Sequence, residues 1–406
     1  MIHRIAVSNF YCLRDRLELN VLVSDHAPEK SERFAQAAPP DPTRIAKVVG
    51  LYGPNASGKS TVLRALGFLS WFIQYGFHLD PGAAIPCDRF NSDSHLSKPI
   101  TIELEFDAPI GLSEEADSEK RCRYSYSLTL DGGAAQPTNI KEESLCYWPP
   151  ETGRRVCLFQ RTGTKVSHRG RAFKAGGYSA QYPNLVRANV SLISMLAQFG
   201  HVPSVFLRDI AGKIETNIIV ERRDPHEGAT AELYLSNPRL FQHLNREIPR
   251  LDFGISEVEI KPANQRNYPA AEFVHRGLAN PLLFTKESEG TRQFFKIFPM
   301  ISQALHFGGV AVIDEFDGSI HPLVLPEILR WFYDTERNAK NAQLWFTGQN
   351  PYLLGELEKE QIILCEKDDH GSSTAFRLSD MKNIRRVENY EKKYLGGAYG
   401  AIPHFG

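Results

Sequence analysis

The chain has 406 residues, long enough for two or three domains or for one large domain with insertions, so it can bury a substantial core. Forty-seven basic residues against 48 acidic ones leave a formal charge of −1. That balance excludes a histone-like binder held to nucleic acid or anionic membrane by a global field, and any such contact has to come from a local patch.

Six cysteines, at 12, 87, 122, 146, 157 and 365, make neither a C-x-x-C pair nor a zinc-spaced Cys/His cluster, which suits reduced thiols in a cytosolic protein. The N-terminal residues Met1 to Phe10 alternate like a strand and carry no signal-peptide pattern, and no apolar run reaches the roughly 18 residues of a membrane span. The expected location is the cytoplasm.

In chain order, residues 2–10 and about 16–23 alternate apolar and polar and predict an antiparallel pair of strands. A Pro- and charge-rich loop follows over 24–43, with Pro39-Pro40-Asp41-Pro42 incompatible with regular structure. Arg44 to Tyr52 is expected as one short buried strand. It runs into Gly53-Pro54-Asn55-Ala56-Ser57-Gly58-Lys59-Ser60-Thr61, which fits G-x-x-x-x-G-K-[ST]. In that pattern backbone N–H groups curl round a phosphate, the Lys reaches the β and γ oxygens, and the hydroxyl joins Mg²⁺. An apolar helix over 60–75 then sets a helix N-terminus against the anion. ATP with Mg²⁺ is the cofactor this pattern predicts.

Strands are predicted at 99–106, 123–130, 140–148 and 154–160, with a turn at Asp131-Gly132-Gly133, which makes the first half rich in β-structure. Residues 154–174 hold Arg154, Arg155, Arg161, Lys165, Arg169, Arg171 and Lys174 interleaved with Phe159 and Phe173. This is either a solvated hairpin or a surface for nucleic acid or an acidic protein. Arg89 and His95 have the loose spacing of some RNases, without a helical pattern around them. From about 176 to 250 the spacing becomes helical: Leu192, Ile193, Met195, Leu196 and Phe199 share one face, and Leu240, Leu244, Ile248 and Leu251 another. The expectation is an inserted helical arm whose stripes pack within itself.

The last third returns to α/β character, with strands at 309–313, 343–347 and 361–366 and a helix over 323–337. The apolar strand Gly309 to Ile313 ends in Asp314-Glu315. There Asp314 would hold magnesium together with Ser60, and Glu315 would polarise the water that attacks the γ-phosphate. Upstream, Ser288-Glu289-Gly290 opens a helix that Ser288 can cap, either as an ordinary capped helix or as an anion site.

Ser288-Glu289-Gly290, lying some 25 residues before Asp314-Glu315, resembles the signature motif of ABC-type ATPases, the class that includes SMC heads and OLD-family proteins. Phe316 to Pro322 resembles the D-loop that follows. Ile5 to Phe10 with Leu13-Arg14-Asp15, and Tyr390 to Pro403, resemble the two ends of such heads. Taken together, the chain is most similar to stand-alone ABC-type AAA ATPases of bacterial abortive-infection and phage-defence operons, of the RloA and AbiL types and more distantly AriA. The resemblance implies a split ABC-type P-loop ATPase head of class α/β: one half in 1–110, a β-rich lobe with an inserted helical arm in 111–275, and the other half in 276–406. It further implies catalytic roles for Lys59, Glu315 and Gln349, a nucleotide held by Gly53 to Thr61, and Ser288, Glu289 and Gly290 closing over the nucleotide of another copy. A homodimer or higher homo-oligomer follows, with a separately encoded, nuclease-like effector and no membrane partner. The alternatives are a self-contained nuclease or toxin and an SMC-like repair ATPase, although sustained heptads for long arms are lacking. Where such proteins carry Thr-Thr-His-Asn, this chain has Thr347-Gly348-Gln349-Asn350. Gln349, or His404, is then the candidate for the switch role.

Overall fold

The computed structural model describes residues 1–23, 27–28, 31–39, 43–112, 120–170, 173, 186–222, 225–251, 254–262 and 268–403. The chain opens with β1 (Ile2–Ser8) and β2 (Leu17–Asn20), an antiparallel pair with Ile5 opposite Leu19. Next come β3 (Leu22–Val23), β4 (Phe34–Gln36) and β5 (Arg44–Ala46), a small sheet in the order β3-β5-β4, and then β6 (Val48–Tyr52). The single strand expected over 44–52 is thus two. Lys47 donates its N–H to the Arg33 carbonyl (3.0 Å) while its own carbonyl accepts from Leu344 N–H (2.8 Å), so the chain changes sheets at that residue. Of the Pro-rich stretch before it, residues 40–42 lie outside the described residues.

Helix α1 (Lys59–Tyr75) follows the glycine-rich loop, then β7 (Ile100–Pro109), β8 (Arg121–Asp131), β9 (Asn139–Tyr147), β10 (Val156–Thr162) and β11 (Lys165–Arg169). The middle of the chain holds α2 (Leu192–Gln198), α3 (Val202–Ala211), β12 (Ile214–Thr216), α4 (Glu227–Ser236) and α5 (Pro238–Leu251). A small meander, β13 (Ile255–Lys261), β14 (Ala270–His275) and β15 (Leu282–Leu283), leads into α6 (Glu289–Phe307). The remainder is β16 (Val310–Ile313), α7 (Leu325–Tyr333), β17 (Gln343–Thr347), β18 (Ile362–Lys367), β19 (Ser373–Arg377) and α8 (Tyr390–Leu395).

Two large sheets organise these elements. One has seven antiparallel strands in the order β11-β10-β9-β8-β7-β1-β2; the other runs β12-β16-β17-β6-β18-β19 and is parallel except for its last strand. The parallel sheet is a wall between two hydrophobic cores. Val49, Leu51, Val312, Trp345 and Ile363 point into a core shared with α1 and the antiparallel sheet. Their neighbours Val48, Ala311, Leu344, Phe346 and Ile362 point into a second core under α6 and α7. The period-2 alternation of side chains sends successive residues to opposite faces, and each large apolar side chain buried this way contributes about 1.5–3 kcal/mol. Gln343 stitches the sheets together: its Oε1 accepts from Ile2 N–H (2.6 Å), and its Nε2 donates to the Ile2 (3.0 Å) and Ala46 (2.9 Å) carbonyls.

The helical stretch does not stand apart as an arm. Leu192, Ile193, Met195, Leu196 and Leu207 belong to the same core as Leu63, Leu66 and Phe72 of α1. On the other face Tyr234, Leu240, Leu244 and Ile248 pack with Phe295 and Phe298 of α6, and Tyr234 donates its hydroxyl to the Phe295 carbonyl (2.9 Å). Between these helix pairs β12 lies parallel to β16, with Ile214 opposite Val310, as an edge strand of the parallel sheet. The apolar stripes pack on α1 and α6, except for Phe199, which is exposed, and residues 176–185 lie outside the described residues. Among the described residues no helix is long and apolar enough to cross a membrane.

Candidate functional site

The loop after β6 is shaped by backbone that only particular residues tolerate. Gly53 has φ 149° and Gly58 φ 95°, and Gly58 caps α1 in the left-handed region. A Cβ on Gly53 would sit 2.2 Å from the Cys365 carbonyl oxygen, and one on Gly58 2.6 Å from Ser373 Cβ, so both positions demand glycine. Ala56, at φ 63°, carries strain that the loop over-determines. Lys59 Nζ donates to the Gly53 (2.7 Å) and Pro54 (2.9 Å) carbonyls, and burial lowers its pKa. Two hydroxyls here, Ser57 Oγ and Ser373 Oγ, are buried with no hydrogen-bond partner. Cys12 Sγ lies 3.0 Å from Thr61 Oγ1 at the first turn of α1. A helix N-terminus and a lysine, with unpaired buried hydroxyls from the loop and from the start of β19, form a site suited to a phosphate anion.

The acidic pair meets this loop at the end of β16. Ser60 Oγ donates to Asp314 Oδ1 at 2.8 Å, across 254 residues of sequence, and Thr347 Oγ1 donates to the same oxygen at 2.7 Å. Hard oxygen donors of this kind suit a magnesium ion, which keeps several waters and few protein ligands. Asn217 brackets the Asp314 peptide, its Nδ2 donating to the carbonyl (3.0 Å) and its Oδ1 accepting from the N–H (2.8 Å). Glu315 has φ 52°; its N–H donates to Thr347 Oγ1 (2.7 Å) and its carboxylate pairs with Arg222. Asp317 accepts from the backbone N–H groups of Gln349 (2.7 Å) and Asn350 (2.5 Å), and burial raises its pKa against those bonds. Gln349 is thereby tied to the acidic turn with its side chain exposed.

Ser288 caps α6, its Oγ accepting from Thr291 N–H (3.1 Å), and Ser288 and Glu289 face solvent. Glu289 pairs with Arg292. A Cβ on Gly290 would lie 2.5 Å from the Ser319 carbonyl oxygen, so the turn after the acidic pair packs directly on the start of α6. Among the described residues no hydrogen bond or ion pair joins Ser288, Glu289 or Gly290 to the glycine-rich loop. The structure therefore brings together Lys59, Ser60, Asp314, Glu315 and, through Asp317, Gln349. His404 lies outside the described residues.

Several residues that the sequence suggested for a surface or a catalytic pair are held inside the fold. Arg161 is fully buried: it donates to the Gly163 (2.9 Å), Val190 (2.9 Å) and Arg187 (3.0 Å) carbonyls and pairs with Glu143 at 3.3 Å. Phe159 and Phe173 are buried against each other, with ring centroids 4.9 Å apart. Among the described residues Arg161, Phe159 and Phe173 thus do not share a face with the exposed Arg154, Arg155 and Lys165, whereas Arg171, Lys174 and the side chain of Arg169 lie outside the described residues. Arg89 is buried as well, donating to the carbonyls of Lys98 (2.8 Å), Ala134 (2.7 Å) and Gly132 (2.8 Å), which leaves no RNase-like pair with His95.

Asn217 and Arg222 were missed from the sequence because their role rests on contacts 97 and 93 residues away, with no local motif. Thr347 and Asp317 stood inside quoted motifs, yet nothing in their spacing announced which groups they bind.

No curated protein matches this chain. Among solved structures it is similar to the SMC head domain from Thermotoga maritima, at 12% identity and a TM-score of 0.42, over 93% of this chain and 98% of that one. It is also similar to an SmcHead bound to the C-winged helix domain of ScpA, at 11% identity and a TM-score of 0.47, again over 93% and 98%. A third is the Smc head domain with an extended coiled coil bound to the C-terminal domain of ScpA, derived from Pyrococcus furiosus, at 9% identity and a TM-score of 0.42, over 93% and 96%. The family described as "AAA domain, putative AbiEii toxin, Type IV TA system" matches residues 48–355, a span that holds the glycine-rich loop, Ser288 to Gly290, the acidic pair and Gln349. The chain belongs to that family of AAA-domain P-loop ATPases.

Proposed function

We propose that the protein binds and hydrolyses ATP with Mg²⁺ between two copies of itself and uses that cycle to control a separately encoded effector in anti-phage defence. The observation that carries the ATPase reading is the 2.8 Å contact between Ser60 and Asp314, which joins the phosphate loop to the acidic pair. Gly53 to Thr61 would surround the phosphates with backbone N–H groups, and Lys59 would leave its loop carbonyls for the β and γ oxygens. Ser60 and Asp314 would hold magnesium, whose charge offsets that of the phosphates. Glu315 would take the proton from the attacking water, with Gln349 orienting it.

The solvent-facing Ser288 and Glu289 at the N-terminus of α6 support the dimer, since among the described residues no hydrogen bond or ion pair joins them to the loop they would serve. A C₂ pair would place the α6 N-terminus of each copy over the nucleotide of the other. The resemblance of its motifs to those of RloA- and AbiL-type defence ATPases supports the biological role. The self-contained toxin reading draws on the wording of the family description, and assays of RNA and DNA cleavage by the purified chain separate the two.

Lys59→Ala is expected to lose ATP binding by about a hundredfold or more, a change of roughly 3 kcal/mol. Glu315→Gln is expected to bind ATP, hydrolyse it poorly and accumulate as a dimer in light scattering with ATP present. An unchanged ATP affinity in Lys59→Ala sinks the proposal, and co-purification with neighbouring gene products, with and without ATP, tests the effector.

A further inference from the structure

The segment that grips both acidic residues carries neither the phosphate loop nor the acidic pair itself. Residues 217–222 continue from β12 in the middle of the chain. Asn217 holds the Asp314 backbone on both sides, and five residues later Arg222 Nη1 meets Glu315 Oε2. The segment is itself pinned: a Cβ on Gly67 of α1 would come within 2.0 Å of the Ile218 carbonyl oxygen, and Ile218 bridges Arg222 in antiparallel fashion.

The two grips differ in kind. Asn217 is buried, and its two bonds leave the Asp314 peptide no freedom. The Arg222–Glu315 pair is open to water, its side chains 27% and 44% exposed, and pairs of that exposure hold weakly and weaken further with salt. A base works through a free lone pair. A guanidinium on the carboxylate occupies one oxygen, so that lone pair is not offered to the attacking water.

We infer that Arg222 is an intramolecular brake on ATP hydrolysis: its contact with Glu315 restrains the base, and displacement of the Arg222 side chain, with Asn217 left in place, releases it. This rests on Glu315 being the base. Because the pair is weak, a competing group offered to Arg222 by a second copy or a partner protein suffices to shift it. Hydrolysis is then governed from a part of the chain that holds no nucleotide motif.

The test is steady-state ATP hydrolysis by the full chain as parent, Arg222→Ala, Arg222→Gln, Arg222→Lys and Glu315→Gln. Arg222→Ala and Arg222→Gln are expected to raise kcat about three- to fivefold with KM for ATP unchanged, and Arg222→Lys to stay near the parent rate. The parent rate should climb from low to moderate ionic strength while that of Arg222→Ala stays flat, a difference that a purely structural arginine does not produce. A kcat at or below the parent's in both Arg222→Ala and Arg222→Gln overturns the brake. If Glu315→Gln hydrolyses ATP as fast as the parent, the base assignment itself falls; if Glu315→Gln is dead and neither neutral Arg222 variant is faster, the brake alone falls.

Discussion

Every residue of β6, β16 and β17 in the parallel sheet is buried, whereas β8 in the antiparallel sheet alternates half-buried and buried along its whole length, as does the first half of β7. The first sheet has a core on each face; the second presents one face to a core. That difference sets where chemistry can sit. A sheet buried on both sides meets solvent at its strand ends, and Gly53, Asn217, Asp314 and Thr347 all lie at the carboxyl ends of β6, β12, β16 and β17. Charges in the antiparallel sheet serve cohesion instead, as Arg161 and Glu143 show.

The comparison is most easily broken at Arg161. Arg161→Met leaves Glu143 buried against Tyr126 Oη (2.8 Å) and Leu192 N–H (2.9 Å) with its cation gone. The expected cost is about 3–5 kcal/mol in denaturant unfolding, with ATP turnover per folded molecule unchanged. Lost turnover at unchanged stability would mean that the antiparallel sheet reaches the site after all.

Asn217→Ala tests the other side. It orphans the N–H and carbonyl of Asp314, so stability should drop by roughly 2–3 kcal/mol while hydrolysis falls with it, because Asp314 no longer meets Ser60 at a fixed distance. Loss of both together is the mark of a residue that belongs to fold and site at once.

This coupling also explains what the sequence could and could not disclose. The apolar runs of β6, β16 and β17 and the motifs at their ends were readable because strand, loop and helix are local. The alternation of β7 and β8 was readable for the same reason. Lys47 hid a change of sheet because a residue's two backbone partners leave no trace in its type. β12 is only three residues long and gives no periodic signal, so the segment around it read as an arm. Arg161 looked like part of a basic surface because burial of an arginine depends on Glu143, 18 residues away, and on carbonyls whose position only the fold supplies.

β12 offers a smaller test through Glu215, which lines a cavity of about 500 Å³ with Lys213, Tyr75 and Phe307. Burial pushes its carboxyl pKa up to about 7 from 4.5. A raised carboxyl pKa means that stability is fully present below pH 4.5 and is lost as the pH climbs through 7. Discounted for the partial exposure of the side chain, the loss is roughly 2 kcal/mol. Glu215→Gln should therefore match the parent near pH 5 and exceed it by that amount near pH 8 in thermal or denaturant melts. Equal pH profiles would place Glu215 in water and outside the packed edge of the sheet.

Gln349 gives the smallest change in free energy and the sharpest contrast with Arg161. Its side chain is exposed, so its replacement should move stability by less than about 0.5 kcal/mol. Its backbone is held by Asp317 at the acidic turn, and under the proposed mechanism its side chain orients the attacking water. An amide donates and accepts hydrogen bonds but does not share a proton, whereas an imidazole does and titrates near pH 6.5. Gln349→His should raise kcat about fivefold, near 1 kcal/mol of barrier, and add a bend to the pH–rate profile close to that value. An unchanged rate makes Gln349 an ordinary loop residue. A faster enzyme of unaltered stability shows that, at the ends of the parallel strands, chemistry is tuned by side chains the core does not hold, while in the antiparallel sheet the charge that matters is the one the core encloses.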